Sequence, residues 1–462
     1  METKKLDSRF WWTIGLIGFV GQLAWAIENN YINLWIYSQT GSAEGITWMT
    51  ISSAIAATLT TIFMGTLSDR LGKRRLFISI GYIIWGLTVF AFGLLSYDNM
   101  FAITKNQASA ILLVGVSMTI ADCVMTFFGS TSNDAAFNAM VTDDTDTTNR
   151  GKVESFLAII PLFANIVMLA IGLPLHVGST AVDTPLQSAV DNGTPLATVM
   201  ATPWLLYFII CGGIVMVVGI ISIFLLPKDK CVPNRSEPYL KKIIYGFKPS
   251  VIKANKNLFI ALLAFLCFST AINAFMPYYL VYFQSILGSG MIFYAAMGSI
   301  LVGSSLIAGV VGFFMDKIGK LKLLVPGVVL AAIGCLCLYF SSNLGAFIAS
   351  GITMMAGYLV SMAVLGATVR DETPHDDVGL FQGVRMVFAV LIPMIVGPLI
   401  SQAFFEKAAF DPQNPSLNGL KPTNTMFLVA LAFFAVSIAP IIWLLLTKKA
   451  FAKKPAEDPL VK

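Results

Sequence analysis

Apolar residues in this chain come in long continuous runs, with little of the alternation of a half-buried strand or the single apolar stripe of a soluble surface helix. A helix crossing hydrocarbon needs roughly 20 mainly apolar residues. Twelve stretches meet that length, at about 10–37, 46–67, 76–96, 108–128, 153–176, 202–226, 258–284, 291–315, 323–340, 345–369, 380–404 and 424–447. The pattern predicts an all-α membrane protein of twelve transmembrane helices. Pro161, Pro277, Pro393 and Pro398 fall inside runs and predict kinks, because proline cannot donate to the helix ladder.

Twelve spans put both termini on one side. With the two tails, the loops on that side (68–75, 129–152, 227–257, 316–322 and 370–379) hold 26 of the 30 Lys and Arg. The opposite loops hold Lys105, Lys407 and Lys421, and Arg385 falls within a span. Basic residues accumulate in cytoplasmic loops, so both termini are expected in the cytoplasm. Ala24-Trp25-Ala26, after a basic start and an apolar run, resembles a signal-peptidase site. Cleavage there would divide an otherwise continuous helix, and the uncut reading is kept.

Composition narrows the class. Of 462 residues, 56% are hydrophobic and 12% charged, about half the charge that covers a soluble protein. That excludes a soluble multidomain enzyme and a disordered chain. A net charge of +5 gives no reason to expect nucleic-acid binding. The expected setting is the cell membrane, as a multi-pass protein in the lipid bilayer. Cys335 and Cys337 point to different helix faces, and no metal site follows from the six cysteines.

The chain divides into an N-terminal six-helix bundle (1–226), a cytoplasmic linker (227–257), a C-terminal six-helix bundle (258–447) and a tail (448–462). Gly65-Thr-Leu-Ser-Asp69-Arg70-Leu-Gly72-Lys73-Arg74-Arg75 closes span two, and Gly312-Phe-Phe-Met-Asp316-Lys317-Ile-Gly319-Lys320-Leu-Lys322 closes span eight. The copies lie 247 residues apart and imply two homologous, pseudo-symmetric halves, the usual construction of a transporter. The span-two pattern resembles the signature loop of the major facilitator superfamily. That resemblance implies a gating role for Asp69, Arg70 and Arg74, which would latch the cytoplasmic helix ends, with Asp316 and Lys317 as a weaker copy. The spacing Gly65 to Gly72-Lys73 is too long for a phosphate-binding loop, and Arg follows the lysine. No catalytic motif is found, so an enzyme is not expected.

A charge at the bilayer centre costs roughly 3 kcal/mol or more and is a functional candidate by default. Glu28 and Asp122 are two such charges. Gln22, Trp25, Asn29 and Asn33 share a helical face in span one, with Glu28 at its edge. Polar groups beside an indole suit a sugar, whose hydroxyls need hydrogen bonds and whose C–H face stacks on the ring; interhelical hydrogen bonding is the alternative for the Asn residues. Asp122 and Thr126 share a face of span four. Arg150 opens span five and Arg385 enters span eleven. A carboxylate balanced between burial and a nearby arginine can load and release a proton as access alternates.

These positions sharpen the resemblance to the glycoside–pentoside–hexuronide:cation symporters, of the melibiose-carrier and sucrose–proton type. Asn133-Asp134-Ala-Ala-Phe137, Asp143-Asp144, Asn149-Arg150-Gly151 and Asp371-Glu-Thr-Pro374…Gln382-Gly383 are similar to motifs of that family. The resemblance implies substrate and cation binding by Glu28, Trp25, Asn29, Asn33, Asp122, Thr126, Arg150 and Arg385. The span-two carboxylates that hold sodium in melibiose carriers are replaced here by Thr61 and Ala57, which favours H⁺ over Na⁺. The sequence therefore predicts a monomeric secondary transporter, without a cofactor, that symports a sugar or glycoside with H⁺ by alternating access. A proton-driven exporter of drugs or lipid-like amphiphiles is the alternative. A membrane sensor is disfavoured, because no loop exceeds about 31 residues.

Overall fold

The computed structural model describes residues 6–145, 150–175, 177, 196–229, 245–288, 290–374, 378–409 and 418–452. Among them, eleven helices are long and apolar enough to cross a membrane: Ser8–Thr40, Ala43–Ser68, Arg74–Phe92, Gln107–Asp144, Pro203–Leu225, Lys256–Leu287, Met291–Gly312, Leu321–Phe340, Leu344–Glu372, Gly383–Gln402 and Thr425–Thr447. A shorter apolar stretch, Ile159–Gly172, occupies the place of predicted span five, in a helix that begins at Arg150. Span one runs without a break through the Ala24-Trp25-Ala26 segment.

Two features depart from the hydropathy pattern. Residues 129–144, expected as part of a cytoplasmic loop, continue span four as helix to Asp144. The polar Ser130-Thr-Ser-Asn-Asp134 run lowered the local hydropathy, yet its groups are held by the helix itself: Thr131 Oγ1 and Ser132 Oγ donate to the Phe127 and Phe128 carbonyls, both at 2.6 Å. After span eleven, Glu406–Ala409 pairs antiparallel with Asn418–Lys421, Glu406 opposite Lys421. Lys407 and Lys421 sit in this small hairpin.

The chain forms two compact units. Unit 1 comprises Met1–Tyr239, Met276–Gly298 and Gln402–Thr423; unit 2 comprises Leu240–Phe275, Ser299–Ser401 and Asn424–Lys462. Span seven belongs to both. Its helix halts at Met276–Tyr278, beside Pro277, and restarts at Tyr279. Most of the predicted 227–257 linker, and the tail beyond Ala452, lie outside the described residues.

Unit 1 is centred on packed rings. Trp35 and Trp204 have centroids 5.2 Å apart, Tyr31 meets Tyr207 edge-on at 5.0 Å, and Phe208 stacks on Trp204 at 5.7 Å. The Trp35 indole N–H donates to the Phe92 carbonyl at 3.0 Å, so this buried donor is satisfied. Spans three and six touch backbone to backbone where Gly86 faces Gly212. In unit 2, Gly357 lies against Ala331 and Gly327, and Gly334 against Met354, bringing spans nine and ten equally close. Small residues do this in membranes because lipid supplies no hydrophobic drive between helices, and close van der Waals contact must replace it.

Three helices widen to five-residue turns, at Ile27–Ile32, Ser130–Phe137 and Val387–Leu391. The third precedes Pro393, whose missing N–H leaves the Ala389 carbonyl without its ordinary donor. In span one, amide side chains cover carbonyls of the widened turn: Asn29 Nδ2 donates to Trp25 O at 2.8 Å, Asn30 Nδ2 to Ala26 O at 2.7 Å and Asn33 Nδ2 to Asn29 O at 2.8 Å.

Candidate functional site

Widened turns concentrate at functional positions, and the one in span one carries Glu28 into the interior of unit 1. Glu28 is 6% exposed and Asp122, on span four, 1%. Ser53 Oγ of span two donates to Glu28 Oε1 at 2.9 Å, and Thr126 Oγ1 of span four donates to the same oxygen at 3.1 Å. The two hydroxyls are 2.8 Å apart. Glu28 Oε2 and Asp122 Oδ1 have no hydrogen-bond partner, and among the described residues no basic side chain pairs with either acid. Two carboxyls held in a low-dielectric interior without a cation cannot both carry full charge at tolerable cost. The arrangement can accept a proton.

The face predicted for span one requires correction. Trp25 is half-buried and Asn29 exposed, but Asn33 is buried. A widened turn takes up an extra residue, which rotates everything after it by about 100° relative to an unbroken helix. Asn33 thus turns away from the face of Trp25 and Asn29. The amide N–H groups of both Asn residues are engaged by their own helix. Trp25 packs against Trp85 with centroids 5.0 Å apart, and a side chain at Gly129 would collide with both rings.

Sequence reasoning missed Ser53 and undervalued Asp134. Ser53 lies in an unremarkable Ser-Ser pair. Asp134 sits in the widened turn of span four, accepts from Ser130 Oγ at 3.0 Å, and acts electrostatically on Glu28. The charge so deep in a helix was the available signal, hidden by reading the segment as loop. Tyr82 joins this region to span one, donating to the Ile17 carbonyl at 2.9 Å and lying 3.2 Å from Asn133 Oδ1.

At the basic end of unit 1, Arg74 is 7% exposed and forms an ion pair with Asp143 at 3.0 Å, while its Nη1 donates to Ser68 Oγ at 2.7 Å. Its described acidic partner therefore belongs to the end of span four. Arg70 is exposed. The side chains of Asp69, Arg150, Asp316 and Lys317 lie outside the described residues. Arg385 is half-buried in the unit 2 helix Val378–Met386. Arg9 donates to the Phe224 and Leu225 carbonyls at 2.8 and 2.9 Å, and Arg75 to that of Ile223, so two arginines cover the last turn of span six.

The profile of the major facilitator superfamily matches residues 14–310 and 295–461. No curated protein matches the sequence significantly. Among solved structures, the chain is similar to a point mutant of the nucleoside transporter NupG, at 12% identity and TM-score 0.66, covering 94% of this chain and 99% of that one. It is similar to the xylose transporter XylE from E. coli at 13% identity and TM-score 0.64, covering 94% and 97%. A bacterial homologue of the human lysosomal transporter Spinster shares 14% identity and TM-score 0.60, covering 98% and 100%. At these identities the likeness concerns the fold.

Proposed function

From the premise that the chain belongs to the major facilitator superfamily, and is thus a multi-pass secondary transporter of a small molecule with the twelve-helix fold of that superfamily, we propose that it symports a sugar or glycoside with H⁺ by alternating access. The observation that carries the reading is the buried Glu28–Ser53–Thr126–Asp122 cluster, with two carboxyl oxygens lacking partners and no basic side chain paired to either acid among the described residues. A site of this kind loads one proton in one access state and releases it in the other. One charge crossing 100 mV supplies about 2.3 kcal/mol. At about 1.4 kcal/mol per tenfold, that sustains roughly a forty-fold solute gradient.

In this reading Trp25 and Asn29 meet the sugar through an indole face and an exposed amide, and Arg150 and Arg385 are the basic counterparts of the acids. Asp69, Arg70, Arg74, Asp316 and Lys317 form the cytoplasmic gate, with Asp143 added as the partner of Arg74. The carrier works as a monomer in the cell membrane with both termini in the cytoplasm. The titles of two comparison structures support a sugar-like substrate: one describes a nucleoside transporter and another a proton:xylose symporter.

The test is a panel of mono- and disaccharides added to weakly buffered, energised vesicles while external pH is recorded. Alkalinisation on adding one sugar, absent in Glu28→Gln, is expected. A panel that leaves pH unchanged, with amphiphile efflux responding to the proton gradient instead, would replace this reading with the exporter.

A further inference from the structure

The cluster around Glu28 has fewer hydrogens than short contacts. Ser53 Oγ, Thr126 Oγ1 and Glu28 Oε1 form a triangle with edges of 2.9, 2.8 and 3.1 Å. The hydroxyls supply two hydrogens for three edges. If both donate to Glu28, the Ser53–Thr126 edge sets lone pairs against each other at hydrogen-bonding distance. If one hydroxyl donates to the other, an edge to Glu28 is empty. A third hydrogen on Glu28 Oε1 fills every edge: Glu28 donates to Ser53, Ser53 to Thr126 and Thr126 back to Glu28. Ser53 also has the Asp122 carboxyl facing its hydroxyl. It is the one described side chain that meets both acids.

We propose that Ser53 is a positioning residue through which Glu28 and Asp122 share a single proton. The transfer balances in two bonds. The Glu28 O–H bond breaks as an O–H bond forms at Ser53, and the original Ser53 O–H bond breaks as one forms at Asp122. Ser53 ends as it began, and one proton has crossed from span one to span four. The other titratable groups facing the acids are Asp134 and Cys123, both on span four. This assignment deepens the symport reading and rests on it for its physiological meaning, although the shared proton can be observed without any sugar.

Infrared spectra of the purified carrier, titrated with pH in the absence of sugar, provide the test. The protonated-carboxyl stretching band should titrate in the native protein and lose intensity in both Glu28→Gln and Asp122→Asn. In Ser53→Ala, with folding verified by its thermal unfolding midpoint, the band should change frequency and its midpoint shift by about one pH unit, a tenfold change in proton affinity. Ser53→Thr, which restores a hydroxyl, should restore both. A Ser53→Ala band with native frequency and midpoint would overturn the proposal, as would a band that Asp122→Asn leaves untouched. The symport reading fails separately: in that case the native band titrates as described, yet sugar drives no proton uptake into vesicles.

Discussion

At the residue scale, the decisive property of Glu28 is that its carboxyl accepts from two hydroxyls on different helices while its other oxygen has no partner. Glu28→Gln retains an oxygen acceptor for both hydroxyls but cannot release a proton. Gradient-driven uptake is expected to fall at least about tenfold, a loss of about 1.4 kcal/mol or more in coupling, measured as sugar accumulation in energised vesicles. Thr126→Val keeps the shape and removes one donor. Its cost belongs to stability, about 1–3 kcal/mol for a buried acceptor that loses a hydrogen bond, read as a lowered thermal unfolding midpoint in detergent. The candidate acids were legible in the sequence because charge inside an apolar run is conspicuous. Their hydroxyl partners were not, since serine and threonine are common in membrane helices and only position distinguishes Ser53 from Ser52.

At the element scale, the widened turns decide which side chains point inward. In span one the widening is matched by three amide-to-carbonyl contacts from Asn29, Asn30 and Asn33, which the sequence shows only as an Asn-rich stretch. Asn30 also accepts from the Tyr279 hydroxyl at 2.7 Å, within unit 1. A double-mutant cycle of Asn30→Ala and Tyr279→Phe should return a coupling of about 0.5–1.5 kcal/mol in unfolding free energy, the ordinary worth of one buried hydrogen bond. Additive effects would show that this contact contributes nothing. The Gly-mediated approach of spans nine and ten makes a second element-scale prediction. Gly357→Leu places a side chain where Ala331 and the Gly327 carbonyl already sit. Overpacking there should cost about 1–3 kcal/mol, seen as a loss of monodisperse protein on heating relative to a substitution at Gly366, around which nothing lies within 4 Å.

At the scale of the whole molecule, the alternation of basic and base-poor loops predicts cytoplasmic termini. A fluorescent-protein fusion after Lys462 should fluoresce, and an alkaline phosphatase fusion after Lys105 should be active, because each reporter works on one side of the membrane only. The opposite pattern would invert the topology. The two arginines that cover the end of span six, and the Arg74–Asp143 pair, tie the basic ends of spans one to four and six together within unit 1.

The sequence by itself determined the all-helical architecture, the succession of spans, the internal repeat and the identity of the buried acids. Those properties are local: a run of apolar residues is costly anywhere but in lipid or protein, and a charge within it stands out without knowledge of its neighbours. Tertiary structure alone decided that Glu28 meets Ser53, 25 residues away, and Thr126, 98 residues away, that Asn33 turns inward, and that Asp134 belongs to a helix. The physical reason is rotational phase. A hydrogen bond between helices depends on the direction of each side chain around its axis, and a single widened turn shifts that direction by about 100° without leaving a mark in the hydropathy.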